Sequence, residues 1–132
     1  NPRYWLVAKR AGHRCEYCRA AESMVNFVFP VEHILPSAKG GSDRETNLAL
    51  ACPSCNAYKY DYVDGFDPKS KKRRRLFNPR KDEWNEHFAF DANTAEFVGL
   101  TAKGRATIER LRMNSPRQIV ARKHWMTIGI FP

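Results

Sequence analysis

Tyr4, Val7, Ala8 and Ala11 recur at helical spacing behind an Asn1-Pro2 start, and Gly12 ends the run, so residues 2–11 are expected to form a short helix. From Met24 to Leu35 the period changes. Val25, Phe27, Phe29 and Val31 alternate with other residues, which predicts a β-rich run with an edge or bend at Pro30. Between Pro36 and Thr46 the apolar pattern lapses into Ser, Lys, Gly40-Gly41 and Asp, the composition of a loop. Leu48 to Ala51 then reads as a second short strand, and Asn56 to Tyr60 as the start of a helix that dissolves over Asp61 to Asp67.

Residues 69–75, Lys-Ser-Lys-Lys-Arg-Arg-Arg, carry no apolar pattern and are expected to be solvated and mobile. Beyond them, His87 to Phe90 and Glu96 to Leu100 flank Asp91-Ala92-Asn93-Thr94, which predicts a hairpin. Thr101 is placed to cap a helix running through Arg112 with Ile108 and Leu111 inward, and Ser115-Pro116 opens another that carries Ile119 and Met126. At 132 residues one domain is expected, with a core over about 13–62, a basic linker over about 63–82 and a hairpin-plus-helices extension over about 83–132.

Charge narrows the choice of partner. Lys and Arg number 23 against 14 Asp and Glu, a formal net charge of +9, which suits a polyanion such as DNA or RNA, although a merely soluble basic protein has the same balance. No stretch approaches the ~20 consecutive apolar residues of a spanning helix. No membrane association is expected, and the expected location is cytoplasmic.

All four cysteines fall in two C-x-x-C pairs, Cys15/Cys18 and Cys52/Cys55. Each two-residue spacer curls its pair around one metal, so together they can present four thiolates to a tetrahedral Zn2+. A disulfide framework needs an oxidising compartment that nothing here indicates, and a redox C-x-x-C does not account for the duplication. A four-sulfur site has no open position for substrate, so this zinc is expected to be structural. It would fold everything between residues 19 and 51 into one closed excursion.

Inside that excursion stand Val31-Glu32-His33-Ile34-Leu35-Pro36, then Gly40-Gly41, then Asn47-Leu48, and finally Cys55-Asn56 with Lys59 a turn later. Over roughly residues 14–62 this order of residues resembles the HNH endonuclease signature in the variant whose third letter is Asn, with His33, Asn47 and Asn56 at the named positions. The stretch from Leu76 through Trp84 and Phe88 to Gly104 is similar to C-terminal extensions of small bacterial HNH proteins. The resemblance implies an α+β fold: a ββα-metal core around the four-Cys zinc knuckle, with flanking helices, a C-terminal β-hairpin and two helices. It departs from the usual pattern at Glu32, where Asp is more common, and at Asn56, where the eponymous pattern has His.

Phosphodiester hydrolysis needs an attacking hydroxide, neutralisation of charge on the phosphoryl oxygens and stabilisation of the departing alkoxide. Glu32 and the Asn56 amide oxygen are the expected ligands of a catalytic divalent cation, Mg2+ or another such as Mn2+ or Ni2+, because hard cations take oxygen donors. His33 suits the general base, since an imidazole titrates near neutral pH. Asn47 resembles the family residue that pins the loop and holds the histidine's orientation. Because neighbours on a strand face opposite ways, Glu32 and His33 can serve one substrate only if the strand ends or bends there.

Lys59, Lys71, Lys72, Arg73, Arg74, Arg75, Arg80 and Lys81 follow the site and are the expected phosphate contacts. Tyr58, Tyr60 and Tyr62 are read as packing, with base stacking as the alternative. His13, His87 and His124 are read as structural or surface residues. The expected partner is nucleic acid, double-stranded DNA first, with the chain acting alone or within a larger defence or mobile-element assembly. Two other functions stay open: a zinc-stabilised binding module that cuts nothing, and an RNase or structure-specific nuclease.

Overall fold

A computed structural model describes all residues from Asn1 to Pro132. Helix α1, Tyr4–Arg10, buries Val7 and Ala8 and ends on Lys9 and Arg10, two cations that complement the negative end of the helix dipole. The first knuckle follows. Strand β1, Val31–His33, pairs antiparallel with β2, Leu48–Leu50, in the register Val31 to Leu50, Glu32 to Ala49 and His33 to Leu48.

The expected β run from Met24 to Leu35 shrinks to those three residues. Residues 25–30 meet no partner strand: the Phe29 N–H donates to the Glu22 carboxylate at 2.7 Å, and the chain joins the hairpin only where the Pro30 carbonyl accepts from Ala51 N–H. Alternation had no second strand to bury itself against, and Val25, Phe27 and Val28 are exposed.

Helix α2, Pro53–Lys59, begins earlier than the pattern suggested, because the second knuckle is itself its first turn. Cys52 caps it by accepting the Cys55 N–H through sulfur at 3.3 Å, and Pro53 sits in the first turn, where no amide donor is needed.

Residues 63–82 are not a linker, and the basic run is not a free segment. Strand β3, Asp64–Asp67, pairs antiparallel with β4, Lys72–Arg75. The acidic strand supplies what the basic one needs: Asp64 pairs with Arg73 across the hairpin, and the buried Asp67 accepts from Lys69 N–H at 3.0 Å and from Ser70 N–H at 3.3 Å to close the turn. Asp67 also takes Arg105 Nε at 2.9 Å and its terminal nitrogen at 3.1 Å, and this contact holds its carboxyl well below the ordinary range. That pair seats the hairpin on the C-terminal half of the chain.

Helix α3, Trp84–His87, runs straight into β5, Phe88–Asp91, which pairs with β6, Glu96–Gly99, as the hairpin pattern predicted. Helices α4, Ala102–Leu111, and α5, Pro116–Thr127, are capped by Thr101 and Ser115, whose hydroxyls accept from Gly104 and Gln118 N–H. One hydrophobic cluster includes residues from Val7 to Phe131. Its aromatic seam joins Phe77 to Phe88 at 5.2 Å and Trp84 to Phe88 at 5.1 Å between ring centres, and Trp84 Nε1 donates to the Tyr17 carbonyl at 2.8 Å. The C-terminal half is thereby bound to the first knuckle.

Gly104 separates two opposed effects. Alanine would raise helix propensity by about 1 kcal/mol, but its Cβ would lie 2.1 Å from the His87 carbonyl oxygen, a backbone atom with little freedom to move. Overpacking of this kind costs about 1–3 kcal/mol, so Gly104→Ala is expected to lower stability in urea unfolding of the zinc-loaded protein. A gain in stability would mean that the helix does not need this close approach.

Candidate functional site

The four cysteine sulfurs lie within 4.8 Å of one another, buried and unbridged by disulfides. A tetrahedron with Zn–S bonds of ~2.3 Å has edges of ~3.8 Å, and the Cys18 to Cys52 separation is 3.6 Å. In each pair the second cysteine's N–H donates to the first one's sulfur, Cys18 to Cys15 and Cys55 to Cys52. The surrounding sulfurs push the Cys18 and Cys55 thiols well above their ordinary range, while hydrogen bonds from the other cysteines pull Cys52 down. Four thiolates at this spacing repel unless a cation sits between them, and the buried cluster suits a structural Zn2+. Arg122 is 1% exposed, its Nε and one terminal nitrogen have no partner, and its guanidinium lies within the field of Cys18, Cys55 and Cys52. The excess negative charge of four sulfurs around a dication, with that of Glu96, offsets this buried cation.

The knuckles hold the hairpin on both sides. Glu16 N–H donates to the Leu50 carbonyl and the Glu16 carboxylate accepts from Leu50 N–H, each at 2.9 Å, so the first knuckle grips β2. His33, at the end of β1, turns outward with its side chain 26% exposed, and its Nε2 lies 2.7 Å from Asp43 Oδ1. Asn47 fastens the intervening loop by accepting from Leu35 N–H at 2.9 Å and donating to the carbonyls of Leu35 at 2.9 Å and Ser42 at 2.8 Å. The loop also needs Gly41, where a Cβ would sit 1.7 Å from the Leu35 carbonyl oxygen.

Glu32 faces the other way, as alternation on a strand requires. It is buried at 6% exposure, and its two carboxylate oxygens accept from the Tyr17 hydroxyl and, at 2.8 Å, from Lys59 Nζ. Lys59 also donates to the carbonyls of His33 at 3.2 Å and Ile34 at 3.0 Å. Burial pushes the Glu32 carboxyl above its ordinary range, against the pull of Lys59 and Tyr17. Lys59 therefore does not belong with the phosphate contacts: its side chain is 3% exposed and its ammonium serves as an internal tie between α2 and the end of β1. Asn56 is half-buried on α2 three residues before Lys59, a spacing that puts the two side chains near one helix face.

Of the other candidates, Lys71, Lys72, Arg73 and Arg75 are exposed on the basic hairpin and Lys81 is exposed beyond it, while Arg80 is half-buried and pairs with Glu16. Tyr58, Tyr60 and Tyr62 are exposed rather than packed inward, with Arg112 lying 4.6 Å over the Tyr58 ring and Arg110 lying 3.8 Å over Tyr62. His13 bonds Glu22 at 2.8 Å, His87 bonds Thr101 at 2.6 Å and His124 is exposed, so none of the three joins the sulfur cluster. Sequence reasoning missed Asp43 and Tyr17. Asp43 is one loop aspartate among several residues of turn type, and only the Tyr17 position inside the first knuckle hinted at a structural duty.

A knuckle-clamped hairpin followed by a helix, with an imidazole at the strand end, is consistent with an HNH-type zinc-binding core. Residues 15–71 match the model of the HNH endonuclease family, and the chain carries an HNH endonuclease domain over that stretch. No curated protein and no solved structure matches the chain. A domain of this family implies nuclease chemistry on nucleic acid.

Two outcomes follow from the site's construction. Metal analysis should return about one zinc per chain, and Cys52→Ser should lose it together with the cooperative unfolding transition, because metal binding in small zinc modules contributes on the order of 10–16 kcal/mol. A folded, zinc-free variant would contradict this. Lys59→Met should cost about 3–5 kcal/mol by stranding the buried Glu32 carboxylate, and the Glu32→Gln/Lys59→Met double variant should recover part of that loss in denaturant unfolding. Independent, additive losses would show that the pair is not coupled.

Proposed function

We propose that the chain is a metal-dependent endonuclease that hydrolyses phosphodiester bonds in DNA, with His33 as the general base. The observation that supports this most is the placement of His33: a partly exposed imidazole at a strand end, tied through one nitrogen to Asp43, over a loop held by Asn47. With Nε2–H donated to Asp43, the neutral ring keeps the Nδ1 lone pair to accept a proton from a water aligned with phosphorus. Asp43 fixes the ring's rotation and stabilises the imidazolium after transfer. Asn47 keeps the strand end and the loop together, so the ring and its carboxylate stay in one geometry.

The family implies a hard divalent cation, for which Asn56 offers an amide oxygen on α2. Glu32 is buried against Tyr17 and Lys59 and faces away from His33, so it would join that ion only by exchanging Lys59 for the metal. Mg2+, Mn2+ or Ni2+ held there would neutralise the phosphoryl oxygens and stabilise the departing alkoxide. Lys59 sets the charge of that donor set, since its ammonium already balances Glu32 and leaves the pair neutral. The exposed lysines and arginines of β4, with the turn lysine Lys71, supply a sequence-independent attraction for duplex phosphates.

His33→Ala is expected to lower divalent-dependent plasmid cleavage by about 10²–10⁴-fold while zinc content and DNA affinity stay at wild-type values. Wild-type protein that leaves supercoiled DNA intact with Mg2+, Mn2+, Co2+ and Ni2+ alike would sink the enzyme reading in favour of a binding module. A panel of duplex, single-stranded and branched DNA and RNA separates a DNase from an RNase.

A further inference from the structure

Outside the His33 site, five cations line a cleft of about 420 Å³ between the first knuckle and residues 77–84: Arg10, Arg14, Arg19, Arg80 and Lys81, with Trp84 at its edge. Most of these charges are held by neutral partners. Arg10 donates to the carbonyls of Glu45 at 3.0 Å and Leu48 at 2.6 Å, and Arg14 donates to those of Arg19 at 2.9 Å and Ile130 at 3.2 Å. Arg19 lies 4.0 Å over the Trp84 ring. Carbonyls and a ring fix a guanidinium in place without cancelling its charge.

The carboxylates nearby are largely committed. Glu16 and Glu45 both act on Arg10, but Glu16 is taken by Arg80 and Leu50 N–H and Glu45 by Arg3, while Asp82 is taken by Lys103 and Asn78 N–H, which leaves Glu83 as the uncommitted carboxylate of the cleft. Arg80 Nε is buried without a partner. Burial, and then repulsion from Arg80, lowers the Arg10 pKa, and burial followed by repulsion from Arg14 lowers that of Arg19, so these groups share one field that a bound anion would relieve. Planar guanidinium forks match phosphate oxygens in pairs. The cleft is also joined to the site. A second cleft of about 370 Å³, which reaches Asn47 and Lys59, shares Phe77 and Lys81 with it.

We propose that the arginine cleft is a phosphate subsite that holds a backbone phosphodiester of the bound nucleic acid other than the one being cut. It rests on the reading of the chain as acting on nucleic acid, and it fixes a path for the strand from the His33 loop past Lys81 to Trp84.

The test uses zinc-loaded protein and a short DNA duplex, with affinity followed by fluorescence anisotropy over a range of salt without added divalent cation. Arg19→Gln/Lys81→Gln is compared with Lys9→Gln/Lys123→Gln, which removes the same net charge from exposed positions outside the cleft. Removing a cation that neutralises one phosphate lowers the magnitude of the log–log salt slope by about 0.9. Because the cleft holds one phosphodiester, the cleft variant should lose about one unit of slope and bind more weakly than the control on every duplex sequence, with zinc content and melting temperature unchanged. Equal slopes and affinities in the two variants would overturn the proposal. So would a cleft variant that binds duplex normally and loses only its calorimetric signal with inorganic phosphate or a mononucleotide, since the cleft would then serve a free anion. Plasmid cleavage by the wild type is scored separately: cleavage with no difference between variants removes this inference alone, and a binding difference without cleavage removes the nuclease reading alone.

Discussion

Four sulfurs drawn within 4.8 Å set the terms for everything around them. Charge at that density is tolerable in a protein interior only around a cation, and a cation there ties residues 15–18 to residues 52–55. Three contacts spread from this point. Glu16 holds β2 through Leu50, Tyr17 presents its hydroxyl to Glu32 and its carbonyl to Trp84, and Arg122 lies with an incompletely satisfied guanidinium in the field of the sulfurs. The knuckle thus orients the hairpin, the buried carboxylate and the C-terminal extension at once. A chain of this size has a modest core, and this arrangement gives one metal centre several unrelated elements to hold.

The hairpin converts that clamp into chemistry through strand alternation. Glu32 and His33 are adjacent, so one must enter the protein when the other leaves it. Here the carboxylate goes inward to Tyr17 and Lys59, and the imidazole goes outward to Asp43. Lys59 adds a second link, because the same ammonium that meets Glu32 also takes the carbonyls of His33 and Ile34. The buried pair therefore fixes the backbone on which the exposed histidine stands. Its energetic value lies less in the attraction itself, which desolvation largely offsets, than in the cost of stranding either charge.

Legibility in the sequence followed the range of the interaction responsible. The paired C-x-x-C spacing, the hairpin around Asp91 to Thr94 and the caps at Thr101 and Ser115 are encoded within a few residues of themselves, and the structure has them. The Met24 to Leu35 run carried the right local alternation but lacked a partner strand, and only its last part pairs. The basic run read as a free segment because its acidic complement, Asp64 to Asp67, had itself been read as the end of a helix. The fate of Lys59 was hidden for a similar reason. A lysine on a short helix is ordinarily a solvated charge, and nothing local states that a strand carboxylate waits buried across from it.

The distribution of the +9 charge follows from the same contacts. Lys59 is spent inside, Arg80 and Arg105 are paired with Glu16 and Asp67, and Arg122 is buried beside the sulfurs, so the positive surface is not a plain image of the composition. Among the cations that remain outside, two groups lie together, on the exposed edge of the basic hairpin and in the cleft at Arg10, Arg14, Arg19 and Lys81. Side chains of the first kind stand exposed on a strand edge and confer attraction without register. The arginines of the second are tethered to carbonyls and to an indole ring, and have lost much of their freedom before any ligand arrives. On the proposed reading, the hairpin gathers nucleic acid and the cleft positions it, because only a preorganised cation loses little further entropy when it meets a phosphate.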